Sequence, residues 1–165
     1  MPQVKYQKWE DTLPHGPPLC ALCIGNNGYV SFEALSSCVK DAKAMAAQVR
    51  KKLGASGAWA TEVCNVQDKA AMERELKIFL REIRRPPRVV LVYFSGHGMQ
   101  EGDEIFLVPT NASPSTLEEL RAQCLSHDEL FRILKTHLEE RDVPDLGTIL
   151  RAPRLGLVKC RTRAR

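Results

Sequence analysis

The sequence has no long hydrophobic run. None of its segments approaches the roughly 18 consecutive apolar residues of a membrane-spanning helix. The N-terminal stretch MPQVKYQKWEDTLPHGPP contains neither the apolar core nor the small-residue cleavage pattern of a secretory signal. These absences argue against the membrane-spanning and secreted classes of protein, and we expect a cytoplasmic protein that makes no membrane contact.

The cysteine pattern lacks the features of a disulfide framework or a metal centre. The six cysteines are not densely spaced, and a reducing compartment would leave them as thiols. Cys20 and Cys23 form a C-x-x-C pair, but no second such pair and no histidine pair at ligand spacing accompanies them. On a strand, these two positions point to opposite faces. We therefore predict packing thiols here, no metal site and no cofactor.

Charge of one sign is concentrated in a single place. The net charge is +4, but the segment from Arg151 to Arg165 holds six Lys or Arg residues and no acid, which leaves about −2 for residues 1–150. This basic segment has no interleaved aromatic residues and no nucleic-acid-reading motif, so we do not expect a nucleic-acid partner. The domain organisation that we predict is an N-terminal extension (1–18), one domain (19–150) and a basic C-terminal tail (151–165).

Hydrophobic periodicity indicates alternating strands and helices. The predicted elements, in chain order, are a strand at Leu19–Gly25, a helix at roughly 33–53, a strand at 60–66, a helix capped by Asp68 that ends at RRPP (84–87), a strand at Val89–Phe94, a short strand EIFLVP, a helix in LSHDELFRILKTHLEE and a last candidate strand PDLGTIL. This order predicts an α/β fold, a three-layer α/β/α sandwich with a mainly parallel sheet.

The sequence SGHG follows the most apolar strand and brings His97 to its carboxyl end. In open α/β sheets, reactive groups gather beyond the carboxyl ends of the strands. Glycine on both sides opens the imidazole to a substrate and leaves the Gly98 N–H available to bind an oxyanion. The alternative is that the glycines only turn the chain and that His97 packs or is solvated. The four residues alone leave both interpretations open.

Four blocks of sequence carry a resemblance to a known family. ALCIGNNGY, LSSCVKDAKAMAAQVRKKLG, VVLVYFSGHGMQEGDEIFLVPTNA and LSHDELFRIL, in this order and spacing, resemble the large-subunit region of the caspase and metacaspase superfamily of cysteine peptidases over about residues 19–140. The metacaspase-like and bacterial-type branches are the most similar. The resemblance implies a caspase-like fold that lacks the small-subunit strands. It also implies that His97 is the catalytic histidine, that Gly98 is an oxyanion-hole donor and that Asp41 organises the first helix.

The nucleophile departs from the family pattern. The family places its cysteine about 50 residues after the histidine. Here Pro153 aligns with that position, 56 residues after His97, and proline has no thiol. Cys160, 63 residues after His97, ends a second short apolar run and is the displaced candidate, with Lys159 and Arg161 beside it to lower the pKa of its thiol.

Two function classes therefore remain open. The first is a cysteine endopeptidase that acts on protein or peptide substrates through His97 and Cys160. The second is an inactive or truncated pseudopeptidase that binds a small-subunit-like partner, or a second copy of itself, through an open sheet edge. The lack of arginine in GNNGYVSFEA favours cleavage after Arg or Lys over cleavage after Asp. The acidic residues Glu101, Asp103 and Glu104 would be the candidates for calcium, but a solvated turn is the interpretation we favour.

Overall fold

The computed structural model of the chain describes residues 16–85, 87–139 and 160–162. All the strands and helices predicted between Leu19 and Glu139 are present, together with one further short α-helix, a 3-10 helix at Gly54–Ser56 and one two-residue strand. The strands are β1 (Leu19–Gly25), β2 (Trp59–Cys64), β3 (Val89–Glu101), β4 (Glu104–Leu107), β5 (Leu125–Ser126) and β6 (Cys160–Thr162). The α-helices are α1 (Cys38–Leu53), α2 (Lys69–Glu82), α3 (Leu117–Gln123) and α4 (His127–Glu139). The predicted strand PDLGTIL lies outside the described residues.

The six strands form one mixed sheet that is mainly parallel. Its order is β2-β1-β3-β4-β5, and β6 also pairs with β3. β2, β1 and β3 are parallel to one another, and β6 is parallel to β3. β4 is antiparallel to both of its neighbours, β3 and β5. The parallel pairing of β1 with β3 ends where Gly25 lies opposite Ser95. Beyond that point, β3 pairs with β6 from Gly96 to Gly98 and with β4 from Gly98 onwards.

Helices cover both faces of the sheet, which confirms the predicted three-layer α/β/α sandwich. On one face, α1 packs against a core cluster that includes Cys23 and Tyr93. On the other face, α2 and α4 pack against a larger cluster that includes Cys20 and Phe94. The two cysteines thus point to opposite faces of β1, as strand alternation predicts. Among the helices of the described residues, none has both the length and the apolar character needed to cross a membrane.

Helix α1 begins at Cys38, so its predicted start near residue 33 is wrong. The preceding backbone is held by the loop after β1 and does not adopt helical hydrogen bonds: Leu35 N–H donates to the carbonyl of Asn27 at 2.9 Å, and Val39 N–H donates to the Asn27 side chain at 3.2 Å. The helix also lies close to β1, because a Cβ atom on Gly25 would be 2.8 Å from Val39 Cα. Residues 33–37 therefore belong to the loop after β1, and this loop reaches His97 within β3.

Strand β3 is longer than predicted and continues through SGHG to Glu101. The extension exists because β4 folds back on it as a hairpin, with Gly98 opposite Leu107 and Glu101 opposite Glu104. The turn between them has Gly102 at a φ of 59°, a left-handed conformation that glycine adopts without steric cost. His97 consequently lies inside a strand, two residues beyond the last β1 pair, and not at the strand end that we predicted.

Candidate active site

The site is built where β3 leaves the parallel sheet. The Ser95 carbonyl accepts the N–H of Asn26 at 2.9 Å, and the His97 carbonyl accepts the N–H of Val108 at 3.1 Å. Carbonyls two residues apart on a strand point to the same edge. The loop after β1 and the residue after β4 therefore meet on one edge of β3. His97 lies at the junction between them.

The imidazole of His97 is half-buried and held on several sides by one loop segment, residues 29–33. Its Nε2 atom lies 2.7 Å from the carbonyl oxygen of Glu33. The Tyr29 ring packs edge-on against it with ring centroids 4.5 Å apart, and the Phe32 ring lies at 5.4 Å. A carbonyl can only accept, so this hydrogen bond assigns the proton to Nε2. In the neutral imidazole, Nδ1 is then the basic nitrogen.

The hydroxyl of Tyr29 is inserted into the β3–β4 ladder at His97. It accepts the His97 backbone N–H at 2.8 Å and donates to the Val108 carbonyl at 3.1 Å. Gly96 leaves room for this hydroxyl, because a Cβ atom on Gly96 would overlap Tyr29 Oη and would lie 2.7 Å from Phe94 Cζ. The first glycine of the Gly-His-Gly sequence is therefore required by local packing.

Two asparagine side chains fix the loops around the site. The Asn26 side chain is fully buried and accepts the Val66 N–H at 2.9 Å, which joins the loops after β1 and β2. The Asn65 side chain accepts the N–H groups of Asn27 and Gly28 at 2.8 and 3.2 Å. Asn65 has a φ of 52°, in the left-handed region that asparagine tolerates better than most residues. The segment that carries Tyr29 and Glu33 is thus anchored at its base.

A carboxylate lies on the α1 side of the same strand. Tyr93, Ser95 and His97 alternate with residues of the opposite face, so their side chains share one face of β3. The Ser95 hydroxyl donates to the half-buried Asp41 carboxylate on α1 at 3.4 Å. Burial, reinforced by the charge of Asp41, raises the pKa of the Tyr93 phenol, although the Ser95 hydrogen bond acts in the opposite direction. Asp41 therefore contacts the sheet and contributes a negative charge near the site.

The opposite edge of β3 is where the segment with the candidate nucleophile pairs. Strand β6 is parallel to β3, with Cys160 opposite Gly96, Arg161 opposite His97 and Thr162 opposite Gly98. Peptide groups alternate between the two edges of a strand, so the Gly98 N–H points to the β6 edge. The backbone of Cys160 and the Gly98 amide therefore lie on the same edge, next to His97. Pro153 lies outside the described residues.

Comparison with known protein families identifies the family of this chain. The sequence matches the family model of the caspase domain over residues 19–146, more than half of the chain. The chain belongs to the caspase domain family. A search among curated proteins found no match. The matched range of the caspase domain includes His97 and Gly98 and ends before Cys160.

Three other cysteines of this caspase domain are buried packing residues, as predicted. Cys20, Cys23 and Cys124 are fully buried. Burial raises the pKa of the Cys20 and Cys124 thiols to about 12. Burial, together with the charge of Glu62, raises the pKa of the Cys23 thiol to about 11. A protonated thiol is a poor nucleophile, so at neutral pH these three residues are inert.

The two remaining cysteines of the described core occupy different environments. Cys38 is buried at the start of α1, whereas Cys64 is exposed at the end of β2. Cys64 is a free thiol on a surface that solvent reaches. It therefore serves as a reference for the reactivity of an accessible cysteine in this protein.

The acidic residues of the β3–β4 turn do not form a ligand cluster. Glu104 pairs with Arg121 at 2.5 Å, which directs its carboxylate to α3. Over residues 16–85 and 87–139, no three His, Cys, Asp or Glu side chains are grouped so that they could hold a metal ion. A shared calcium-coordination geometry is therefore absent from Glu101, Asp103 and Glu104.

Sequence reasoning missed the residues that hold the imidazole. Tyr29, Phe32 and Glu33 all lie in the stretch that follows GNNG, part of which we assigned to the first helix. One signal was available: two aromatic residues within four positions of a Gly-Asn-Asn-Gly turn suggest a loop that packs back on the domain. The role of Glu33 could not be found in this way, because its backbone carbonyl makes the contact and its side chain does not.

Proposed function

We propose that this caspase domain is a cysteine endopeptidase that cleaves peptide bonds with a dyad of His97 and Cys160. The observation that carries the proposal is the parallel pairing of residues 160–162 with β3 at His97. Neighbouring strands lie about 4.8 Å apart, so the pairing brings the backbone of Cys160 to the edge of β3 next to His97. Because Cys160 lies opposite Gly96, and paired residues share a face of the sheet, the proposed dyad requires that residue 160 turn its thiol to the face of His97 when the site assembles. Membership of a peptidase family with protein substrates supports the same conclusion.

The proposed chemistry uses the tautomer that Glu33 selects. Nδ1 of His97 accepts the proton of the Cys160 thiol, and the thiolate attacks the carbonyl carbon of the scissile peptide bond. The imidazolium returns that proton to the leaving amine, which departs with its new N–H and leaves a thioester. Water then attacks the thioester carbonyl, and the cysteine leaves as the thiol. The Glu33 carbonyl holds the ring and stabilises its charged form throughout.

Gly98 is the proposed donor to the oxyanion. Its N–H points to the edge of β3 where Cys160 is paired, which is the side on which a tetrahedral intermediate would form. This role requires that the N–H be free of the β6 backbone while substrate is bound. Glycine at 98 leaves the approach to that amide clear of any side chain.

We further propose the predicted domain organisation and substrate class. The domain spans residues 19–150, preceded by the extension 1–18, and the basic tail 151–165 contributes Cys160. The substrates are cytoplasmic proteins or peptides cleaved after Arg or Lys. The half-buried Asp41 carboxylate beside Ser95 supports this preference, because a negative charge near the site favours a cationic side chain.

A second candidate function is that of an inactive caspase-like module that binds a partner strand. Among the described residues, no strand pairs with the β6 edge of β3 before Gly96. A bare strand edge presents unpaired N–H and C=O groups to another chain. A small-subunit-like partner, or a second copy of this chain, would extend the sheet there.

One experiment separates the two candidates. The full-length protein is alkylated with iodoacetamide at a series of pH values, and the label on each cysteine is followed by peptide mass spectrometry. The endopeptidase predicts that Cys160 reacts with an apparent pKa at least one unit below the roughly 8.5 of a free cysteine. Exposed Cys64 is the internal reference. His97→Ala should return Cys160 to the reactivity of Cys64.

Activity provides the second measurement. Peptides with Arg, Lys or Asp before the scissile bond are incubated with the wild type, with Cys160→Ala and with the control Cys64→Ala. We expect cleavage after Arg or Lys, lost in Cys160→Ala and kept in the control. Cleavage that persists in Cys160→Ala removes the assigned nucleophile. Absence of cleavage, combined with equal labelling of Cys160 and Cys64, favours the strand-binding module.

A further inference from the structure

We propose that Tyr29 is a positioning residue for His97, and that its hydroxyl, wedged into the β3–β4 ladder, fixes the direction in which the imidazole points. This inference rests on the proposed function, because it concerns the same histidine. It assigns a role to a buried tyrosine outside the proposed dyad and oxyanion donor.

In the hydrogen-bond ladder between β3 and β4, the Tyr29 hydroxyl replaces one direct backbone bond. His97 and Val108 lie opposite each other in the antiparallel register, and Val108 N–H donates directly to the His97 carbonyl at 3.1 Å. The reciprocal bond, from His97 N–H to the Val108 carbonyl, is bridged by the tyrosine hydroxyl, with distances of 2.8 and 3.1 Å. The phenol thus uses one acceptor site and its single donor on the two sides of the same residue pair.

The ring of Tyr29 acts on the side chain of the same histidine. It stands at 70° to the imidazole with centroids 4.5 Å apart, a T-shaped contact. The Phe32 ring contacts both, at 5.4 Å from His97 and 6.1 Å from Tyr29. One buried tyrosine, only 7% exposed, therefore fixes both the peptide group and the ring of His97.

The surrounding sequence accommodates this arrangement. Gly96 supplies the space for the hydroxyl, since a Cβ atom there would overlap it. Glu33, whose carbonyl binds Nε2 at 2.7 Å, lies four residues after Tyr29 on the same loop. Loss of the hydroxyl would leave the His97 N–H without this acceptor, or let the ladder close to a direct bond. Either change rotates the peptide between residues 96 and 97 and moves the imidazole relative to Glu33.

The test is Tyr29→Phe in the full chain, which keeps the ring and removes only the hydroxyl. Tyr93→Phe is the matched control: it removes a hydroxyl from another buried tyrosine of the site region, one with no described contact to the His97 ring. The readouts are the ¹⁵N shifts of the His97 imidazole, which report its tautomer, the His97 backbone amide shift, and kcat and KM for peptide cleavage.

We expect Tyr29→Phe to move the His97 amide resonance, to mix the two imidazole tautomers, and to lower kcat by about 10-fold or more with little change in KM. Tyr93→Phe should leave the His97 resonances in place. If both variants lose thermal stability equally and neither changes the tautomer or the amide shift, the hydroxyl has only a packing role and the inference is wrong.

The outcomes also distinguish this inference from the proposed function. A wild type that cleaves no peptide, together with a Tyr29→Phe tautomer change, keeps the positioning role and removes the peptidase. A Tyr29→Phe variant that cleaves at the wild-type rate keeps the peptidase and overturns the positioning role.

Discussion

Substitution of Gly96 by alanine tests the packing on which the site depends. The new methyl group would overlap the Tyr29 hydroxyl and lie 2.7 and 3.0 Å from two atoms of the Phe94 ring. Neither neighbour can move away easily. Phe94 is 1% exposed within the core, and the Tyr29 hydroxyl is held between His97 and Val108 by two hydrogen bonds.

The magnitude follows from these contacts. Overpacking of a filled interior costs about 1–3 kcal/mol. If the hydroxyl is displaced, two hydrogen bonds with a net value of about 0.5–1.5 kcal/mol each are weakened or lost. Because the protein will relax along whichever route costs least, we expect Gly96→Ala to lower the free energy of unfolding by about 1–3 kcal/mol.

The assay is urea denaturation followed by circular dichroism, with Gly28→Ala as the matched control. Gly28 lies in the same loop region, but the nearest atom to its Cβ would be Asn65 Oδ1 at 3.9 Å, an ordinary contact. That variant should change the unfolding free energy by less than about 1 kcal/mol. If Gly96→Ala is as stable as Gly28→Ala, the space at residue 96 is not limiting and the packing argument is refuted.

Three further predictions concern stability. Gly54→Ala should raise the free energy of unfolding by about 0.4–1 kcal/mol in urea titrations, because Gly54 has a helical φ and no atom lies within 4 Å of the new Cβ. A lower free energy of unfolding in this variant would contradict the prediction. Asp68→Ala should lower it by about 1 kcal/mol, since the carboxylate accepts the Ala71 N–H at 2.7 Å and caps α2, and an Asp68→Asn control should retain most of the cap. Burial raises the pKa of the Cys20 and Cys124 thiols from 9.0 to about 12. The unfolded chain therefore loses these protons at a lower pH than the folded protein does, so the free energy of unfolding should be unaffected by these thiols below pH 9 and should fall as pH rises towards 12. Unfolding midpoints that stay constant from about pH 8 to 11 would contradict this prediction.

The strands and helices could be predicted because local patterns and tertiary packing agree for most of the chain. Val89 to Phe94 is apolar on both faces, and the structure covers both faces with helices, as such a strand requires. Asp68 predicted the start of α2 because an N-cap is a local hydrogen bond. The predicted start of α1 was wrong because Asn27 competes for the backbone groups of residues 35 and 39, and no local pattern reveals that competition.

The candidate site could be predicted only in part. His97 stands out because two glycines flank it directly after a strand, which is a feature of adjacent residues. The hydrogen bond from its Nε2 to Glu33 joins positions 64 apart through a backbone carbonyl, and any residue type supplies a carbonyl. The Tyr29 hydroxyl likewise contacts residues 68 and 79 positions away. These contacts depend on how the loop folds over the sheet, which the sequence pattern does not encode.

The position of His97 on β3 explains why a strand, and not a loop, carries the imidazole. Up to Ser95 the strand is fixed by β1, and from Gly98 onwards it is fixed by β4, so the backbone on both sides of His97 is rigid. At the junction, no β1 residue remains to pair, and a tyrosine hydroxyl completes the hydrogen bonding in its place. A reactive group needs a precise backbone position together with an open side, and strands hold such groups more precisely than loops do. His97 meets both needs because β3 changes its partner from β1 to β4 at this point. There, one edge of β3 contacts the loop of residues 29–33, and the other edge faces β6.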